Sequence, residues 1–182
     1  MQNTDCKLIE IKQKLPGFNQ FIGSWFYRGD INFVVDVGPA NSVFRLIDAL
    51  TELKIETIDY VFLTHIHIDH SGGLARFLAH FPMATVICHE KGIKHLVEPK
   101  KLWEGSVKVL GEISEIYGPL SPVEEKYFIS QNDIFDKEIV VIETPGHASH
   151  HLSFVYNRNL FVGEAGGTYL RVRDKDYLRP AT

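Results

Sequence analysis

The sequence predicts a mixed α/β domain, with short strands and helices alternating in two unequal blocks. Two patterns point to it. Short apolar, β-branched runs are closed by turn residues, and between them lie stretches whose apolar residues recur at helical spacing. Composition agrees: 182 residues, 45% hydrophobic and 12% aromatic, are enough for a sizeable core in one domain spanning residues 1–182.

Residues 7–11, 18–27 and 31–37 read as three strands, the last two joined by the turn Arg28-Gly29-Asp30. Asn41 or Ser42 is placed to cap a helix in which Val43, Leu46, Ile47 and Leu50 form one apolar stripe. A buried strand, Tyr60-Val61-Phe62-Leu63, follows, and then a polar loop. A helix over residues 74–81 stops at Pro82, and residues 84–88 form the next strand. Residues 91–97 and 107–117 are expected to be helical, the second ended by Gly118-Pro119. After a loop-like stretch marked by Pro119 and Pro122, the remainder is mostly strand: 126–129, 138–143, 151–156 and 160–162.

The loop after the buried strand carries the chemistry. Thr64-His65-Ile66-His67-Ile68-Asp69-His70-Ser71-Gly72-Gly73 packs four metal-ligating side chains between positions 65 and 70. Nitrogen and carboxylate donors at this density suit a borderline divalent cation such as zinc. In an extended loop, residues two apart project the same way, so His65, His67 and Asp69 are expected to converge while His70 points elsewhere. That arrangement can feed two adjacent metal positions.

The HxHxDH run followed by Gly-Gly resembles the metallo-β-lactamase superfamily of hydrolases, which includes glyoxalase II, lactonases, β-lactamases and several nucleases. Three further segments share the resemblance, in order along most of the chain. Val34-Val35-Asp36-Val37-Gly38 is similar to the family's early strand ending in Asp-x-Gly. Thr144-Pro145-Gly146-His147 is similar to its third-histidine loop, and Phe161-Val162-Gly163-Glu164 to its bridging-acid strand. The resemblance implies a four-layered αββα sandwich with metals at one edge of the two sheets.

By the same resemblance, His65, His67 and His147 form a three-histidine site with an open position for water. Asp69 and His70 begin a second site, and Glu164 reaches between the two. Zinc, as one or two ions, is the implied cofactor, with iron or manganese as alternatives. Metal-bound water near pKa 7 provides a hydroxide nucleophile, and Asp69 is the catalytic group that orients it and handles the leaving group's proton. Asp36 is expected to accept hydrogen bonds from a ligand histidine or from loop amides. His150 and His151 are expected to flank the loop. His80, His89 and His95 read as solvent-facing or satisfied residues, and Cys88 as a small core side chain.

The chain departs from the family pattern in two ways. Glu164 stands where most members carry Asp. The family's last histidine, downstream of the bridging acid, has no counterpart, because residues 165–182 contain no histidine. The second half also holds about half the expected elements, and Tyr177-Leu178-Arg179-Pro180-Ala181-Thr182 reads as a segment running on. The expectation is a domain truncated at its C-terminal end, or one whose missing layer a partner chain supplies. An open apolar sheet then favours a homo-oligomer.

Net charge is −4 with pI about 6.1, and basic residues are scattered apart from a cluster at 94–101, so no nucleic-acid partner is expected. No apolar run suits a bilayer and the start lacks the form of a signal peptide, which argues against a membrane partner. Cys6 and Cys88 suit reduced thiols, and together these features point to a cytoplasmic protein. The expected partner is a small-molecule substrate. The leading reading is metal-dependent hydrolysis of an ester, thioester, lactone or amide. The alternatives are a mononuclear iron enzyme resembling persulfide dioxygenases, and a degenerate metal-binding domain without turnover.

Overall fold

A computed structural model describes residues 5–14, 21–134, 138–172 and 175–180. Residues 18–20 of the expected second strand and the final residues 181–182 lie outside the described set.

The chain opens with β1 (Asp5–Glu10), β2 (Gly23–Arg28) and β3 (Phe33–Val35), then α1 (Phe44–Glu52), β4 (Tyr60–Phe62), α2 (Ile68–Ser71), α3 (Leu74–His80) and β5 (Thr85–Cys88). Three helices follow, α4 (Glu90–Val97), α5 (Lys100–Leu110) and α6 (Glu112–Tyr117), and then β6 (Phe128–Ser130). The second block contains β7 (Val140–Glu143), β8 (Leu152–Tyr156), β9 (Asn159–Phe161) and the hairpin β10 (Thr168–Val172) with β11 (Lys175–Arg179).

Strands β1 to β6 form one sheet in sequence order. The pairs β1·β2 and β2·β3 are antiparallel, while β3 to β6 run parallel. Strands β7, β8 and β9 form a separate antiparallel sheet, and among the described residues β10 and β11 pair only with each other. Parallel strands need crossovers, and α1, α3 and α4 to α6 provide them.

The two faces of the larger sheet are buried differently. Val34, Val61 and Val86 face outward into Leu46, Leu50, Phe77 and Leu96 from the helices. Phe33, Val35, Phe62 and Ile87 face inward onto Leu152, Phe154 and Phe161 of the smaller sheet. Phe33 is fully buried at the centre of this inner layer. Its ring lies 4.9 Å from Tyr27, 4.6 Å from Phe62 and 5.5 Å from both Tyr156 and Phe161. Aromatic rings in such stacked, tilted and edge contacts add to the burial of area.

The layers are therefore α, β and β. Among the described residues no helix covers the outer face of the smaller sheet, where Val140 and Ile142 are exposed. Three of the four layers that the resemblance implies are thus present among the described residues. No described helix is long and apolar enough to cross a membrane.

Local differences from the sequence expectation have physical causes. The single helix expected to begin at 107 is two helices, because Gly111 adopts φ 56° between α5 and α6. Neither Asn41 nor Ser42 caps α1 with its side chain. Asn41 instead donates from Nδ2 to the carbonyls of Glu115 and Ile116, tying α6 to the loop after β3. The stretch from 118 to 127 runs back to the large sheet, where the Val123 amide bonds the Leu96 carbonyl and β6 pairs with β5. Cys88 is a core side chain as expected, and burial pushes its thiol up to about 12.

Candidate metal centre

The site forms where the ends of β3 and β4 meet the loop after β7 and the turn after β9. At the end of β3, Asp36 adopts φ 59°, a left-handed conformation that Asp tolerates better than most residues. This turns its buried carboxylate under the start of the histidine loop. Oδ1 accepts from the Thr64 amide at 2.8 Å, and Oδ2 accepts from the Thr64 hydroxyl at 2.8 Å and contacts His70 Nδ1 at 2.8 Å. The expected role of Asp36 toward a histidine and a loop amide is thus seen in both forms.

These contacts set the tautomers. The Thr64 hydroxyl donates to Asp36, so its 3.0 Å contact with His65 Nδ1 is accepted from that ring N–H. The Nε2 lone pair of His65 therefore faces His67 Nδ1 at 3.0 Å and Glu164 Oε2 at 3.3 Å. His67 Nδ1 also lies 2.9 Å from His147 Nε2. One proton can serve at most one of these nitrogen pairs, which leaves lone pairs facing one another.

The chain reverses sharply after His67. Residues Ile68 to Ser71 wind into a helical turn rather than continuing extended, so His70 swings back toward the cluster instead of pointing elsewhere. Its Nε2 stands 3.6 Å from Asp69 Oδ2 and 3.7 Å from Glu164 Oε2. The two glycines make the turn possible. A Cβ on Gly72 would lie 2.3 Å from the Ile68 carbonyl oxygen, and one on Gly73 would lie 2.4 Å from Val43 Cβ. The Gly73 amide then bonds the Gly38 carbonyl, and the Val37 and Gly38 amides bond the His70 carbonyl.

The smaller sheet delivers the remaining groups. The Leu152 amide bonds the Thr64 carbonyl at 2.7 Å, joining the sheets beside the site. His147 comes from the loop between β7 and β8. Glu164 comes from a 3-10 turn, Gly163–Gly166, where Gly163 has φ 51° against Thr64 and His151. The longer glutamate side chain reaches His147 Nε2 at 2.8 Å while remaining near His65 and His70.

His65, His67, His147 and Glu164 each offer a donor atom within 4.8 Å of the others. Glu164 Oε2 is buried, and among the described residues no donor hydrogen is aimed at it despite those close imidazoles. Buried lone pairs left facing one another are costly without a shared cation, so the donor set fits a metal ion. Burial, with His70 and His67 adding, holds His65 far below its ordinary value, and burial with His147 holds His67 down to about 4. For His70, burial acts downward, but Asp36, Asp69 and Glu164 outweigh it and push the imidazole up to about 9.

His150 and His151 flank the cluster. His150 Nε2 accepts from the Ile66 amide at 3.2 Å, and His151 Nδ1 contacts Thr144 Oγ1 at 2.8 Å. His89 caps α4 by accepting from the Lys91 amide. Sequence reasoning missed Thr64. Its only signal was its place immediately before the first histidine.

A cleft of about 900 Å³ opens on the Asp69, His70 and Glu164 side. Leu8, Phe21, Trp25 and Leu160 line it, all exposed.

The model of the metallo-beta-lactamase superfamily matches residues 21–182. The chain belongs to that superfamily. The metallo-beta-lactamase fold-containing protein ST1585 of Sulfurisphaera tokodaii is 35% identical over 150 residues, covering 76% of this chain and 54% of that protein. Its solved structure, from Sulfolobus tokodaii, superposes with TM-score 0.69 at 29% identity, over 90% of this chain and 65% of that one. A hydroxyacylglutathione hydrolase of Aliivibrio fischeri is 28% identical over 160 residues, 87% of this chain and 51% of the enzyme. The chain thus spans about half the length of several curated relatives it matches. The B3 metallo-beta-lactamase BLEG-1, at 20% identity and TM-score 0.60, shares the fold.

Proposed function

We propose that this superfamily member is a metal-dependent hydrolase acting on an ester, thioester, lactone or amide bond of a small molecule. Relatives named hydroxyacylglutathione hydrolase favour a thioester. The observation that carries the reading is the unprotonated face of the cluster, set by Asp36 and Thr64 and turned toward Glu164.

In this reading His65, His67 and His147 would hold one cation, Asp69 and His70 would begin a second site, and Glu164 would reach between the two. Zinc suits the nitrogen-rich set. A bound cation would lower the pKa of its water toward neutrality and polarise a carbonyl oxygen. The side chains do the rest. Asp69 orients the attacking water and passes its proton toward the leaving group. Asp36 holds His70 and, through the Thr64 hydroxyl, His65 in the required tautomers.

The test is a panel containing an S-acyl-glutathione, an aryl ester, a lactone and an amide, each assayed as purified, after chelation and after zinc return. Turnover of at least one member, lost on chelation and restored by zinc, is expected. A zinc-loaded chain inert to the whole panel contradicts the proposal, and iron as purified shifts the reading to oxygen chemistry.

A further inference from the structure

A second cavity, about 450 Å³, meets the histidine cluster and shares no lining residue with the first cleft. His67 is common to it and the cluster. Its other polar lining is basic or neutral: Lys91, Lys94, His95, Lys101, Ser149 and His150, with no acidic residue among the lining groups. In a chain of net charge −4 this is a local reversal of sign.

The helix positions of these exposed lysines are weakly unfavourable for cations. Lys91 and Lys94 are three apart on α4, where like charges repel. Lys91 lies in the first turn of α4 and Lys101 in the first turn of α5, at the helix ends whose dipoles disfavour cations. Among the described residues none of the three ammonium groups pairs with a carboxylate. His150 adds a neutral donor, because its Nε2 accepts from the Ile66 amide and its proton therefore lies on Nδ1.

We infer that this pocket binds an anionic group, a carboxylate or a phosphate, carried by the molecule whose reacting bond lies at the cluster. The hydrolase reading supplies only the position of the reacting bond; the anion site rests on its own residues. His67 belongs to both, so the spacer between anion and reacting bond is only a few bonds long. The substrate class is a small anionic acyl compound.

Titrating the metal-containing, ¹⁵N-labelled chain with glutarate, and separately with inorganic phosphate, tests this by amide shifts. Saturable shifts at Lys91, Lys94, Lys101 and Ser149 are expected. Lys94→Glu and Lys101→Glu should each weaken binding about fivefold or more, and Lys94→Arg should retain it. These side chains are exposed, so the variants should fold, which thermal melts check. Binding of glutarate alone assigns a carboxylate, and binding of phosphate alone assigns a phosphate. Shifts confined to the histidine cluster, or unchanged in both Glu variants, overturn the inference. Anion binding without turnover on the panel above rejects the hydrolase reading and keeps the pocket. Turnover of a neutral ester without anion binding does the reverse.

Discussion

The buried carboxylate of Asp36 contacts His70 Nδ1 at 2.8 Å, across 34 residues of sequence, while the same oxygen accepts a hydrogen bond from the Thr64 hydroxyl. One acid therefore orients two histidines whose Nε2 atoms both approach Glu164 Oε2. Its left-handed backbone is the local cost of aiming it there.

Asp36→Asn should therefore impair metal binding without replacing any proposed ligand. An amide can accept from Thr64, but its NH₂ faces the lone pair His70 presents at Nδ1 when Nε2 carries the proton. Metal affinity should fall about 10- to 100-fold, as for other groups that orient ligands. Chelator-competition titration measures it, and unchanged affinity rejects the orienting role.

Gly163→Ala probes the close approach that brings in Glu164. At φ 51°, a Cβ would lie 2.8 Å from Thr64 Cγ2 and 3.0 Å from His151 Nε2. A left-handed alanine plus this crowding should cost about 1–3 kcal/mol in urea unfolding. Metal content should fall as well, since the turn holds Glu164. A variant as stable as the parent contradicts this packing.

Phe33→Ala removes the ring at the centre of the inner aromatic layer. The expected loss is about 3–5 kcal/mol, typical of a fully buried phenylalanine. A loss near zero would mean that the smaller sheet does not pack on the larger as described.

The metal-stripped chain should lose stability in mild acid. Burial, with neighbouring histidines adding, lowers His150 to about 4, and burial is also the largest cause lowering His151 to about 4. The unfolded chain titrates these groups near 6.5, so between pH 6.5 and 4 it binds more protons than the folded chain. Their contribution is complete above pH 6.5 and disappears as the pH falls toward 4. Melting temperature against pH measures it. A flat profile across that window would show that these imidazoles titrate normally in the folded chain.

Much of this was legible in the sequence because the informative groups are local. Strand, polar loop, Gly-Gly and helix lie within one short stretch, and Asp36, His147 and Glu164 each stand in a short turn-bounded motif. What was not legible depends on geometry between distant segments. His70 was expected to point away, because an extended loop was assumed where a helical turn begins at Ile68. Thr64 reads as an ordinary strand-end residue until Asp36 and His65 are brought to either side of its hydroxyl. The pairing of Lys101 with Lys91 and Lys94 depends on the turn between α4 and α5. The break at Gly111 was missed because the apolar spacing continues across it, and the β10·β11 hairpin because its exposed β11 carries no burial pattern.

The most direct measurement is metal per chain by elemental analysis, on protein purified without added metal, beside His67→Ala. One or two zinc ions per wild-type chain are expected, with most of that metal lost in the variant. Wild-type protein free of metal, or His67→Ala with undiminished metal, would contradict the assignment of this cluster as a metal centre.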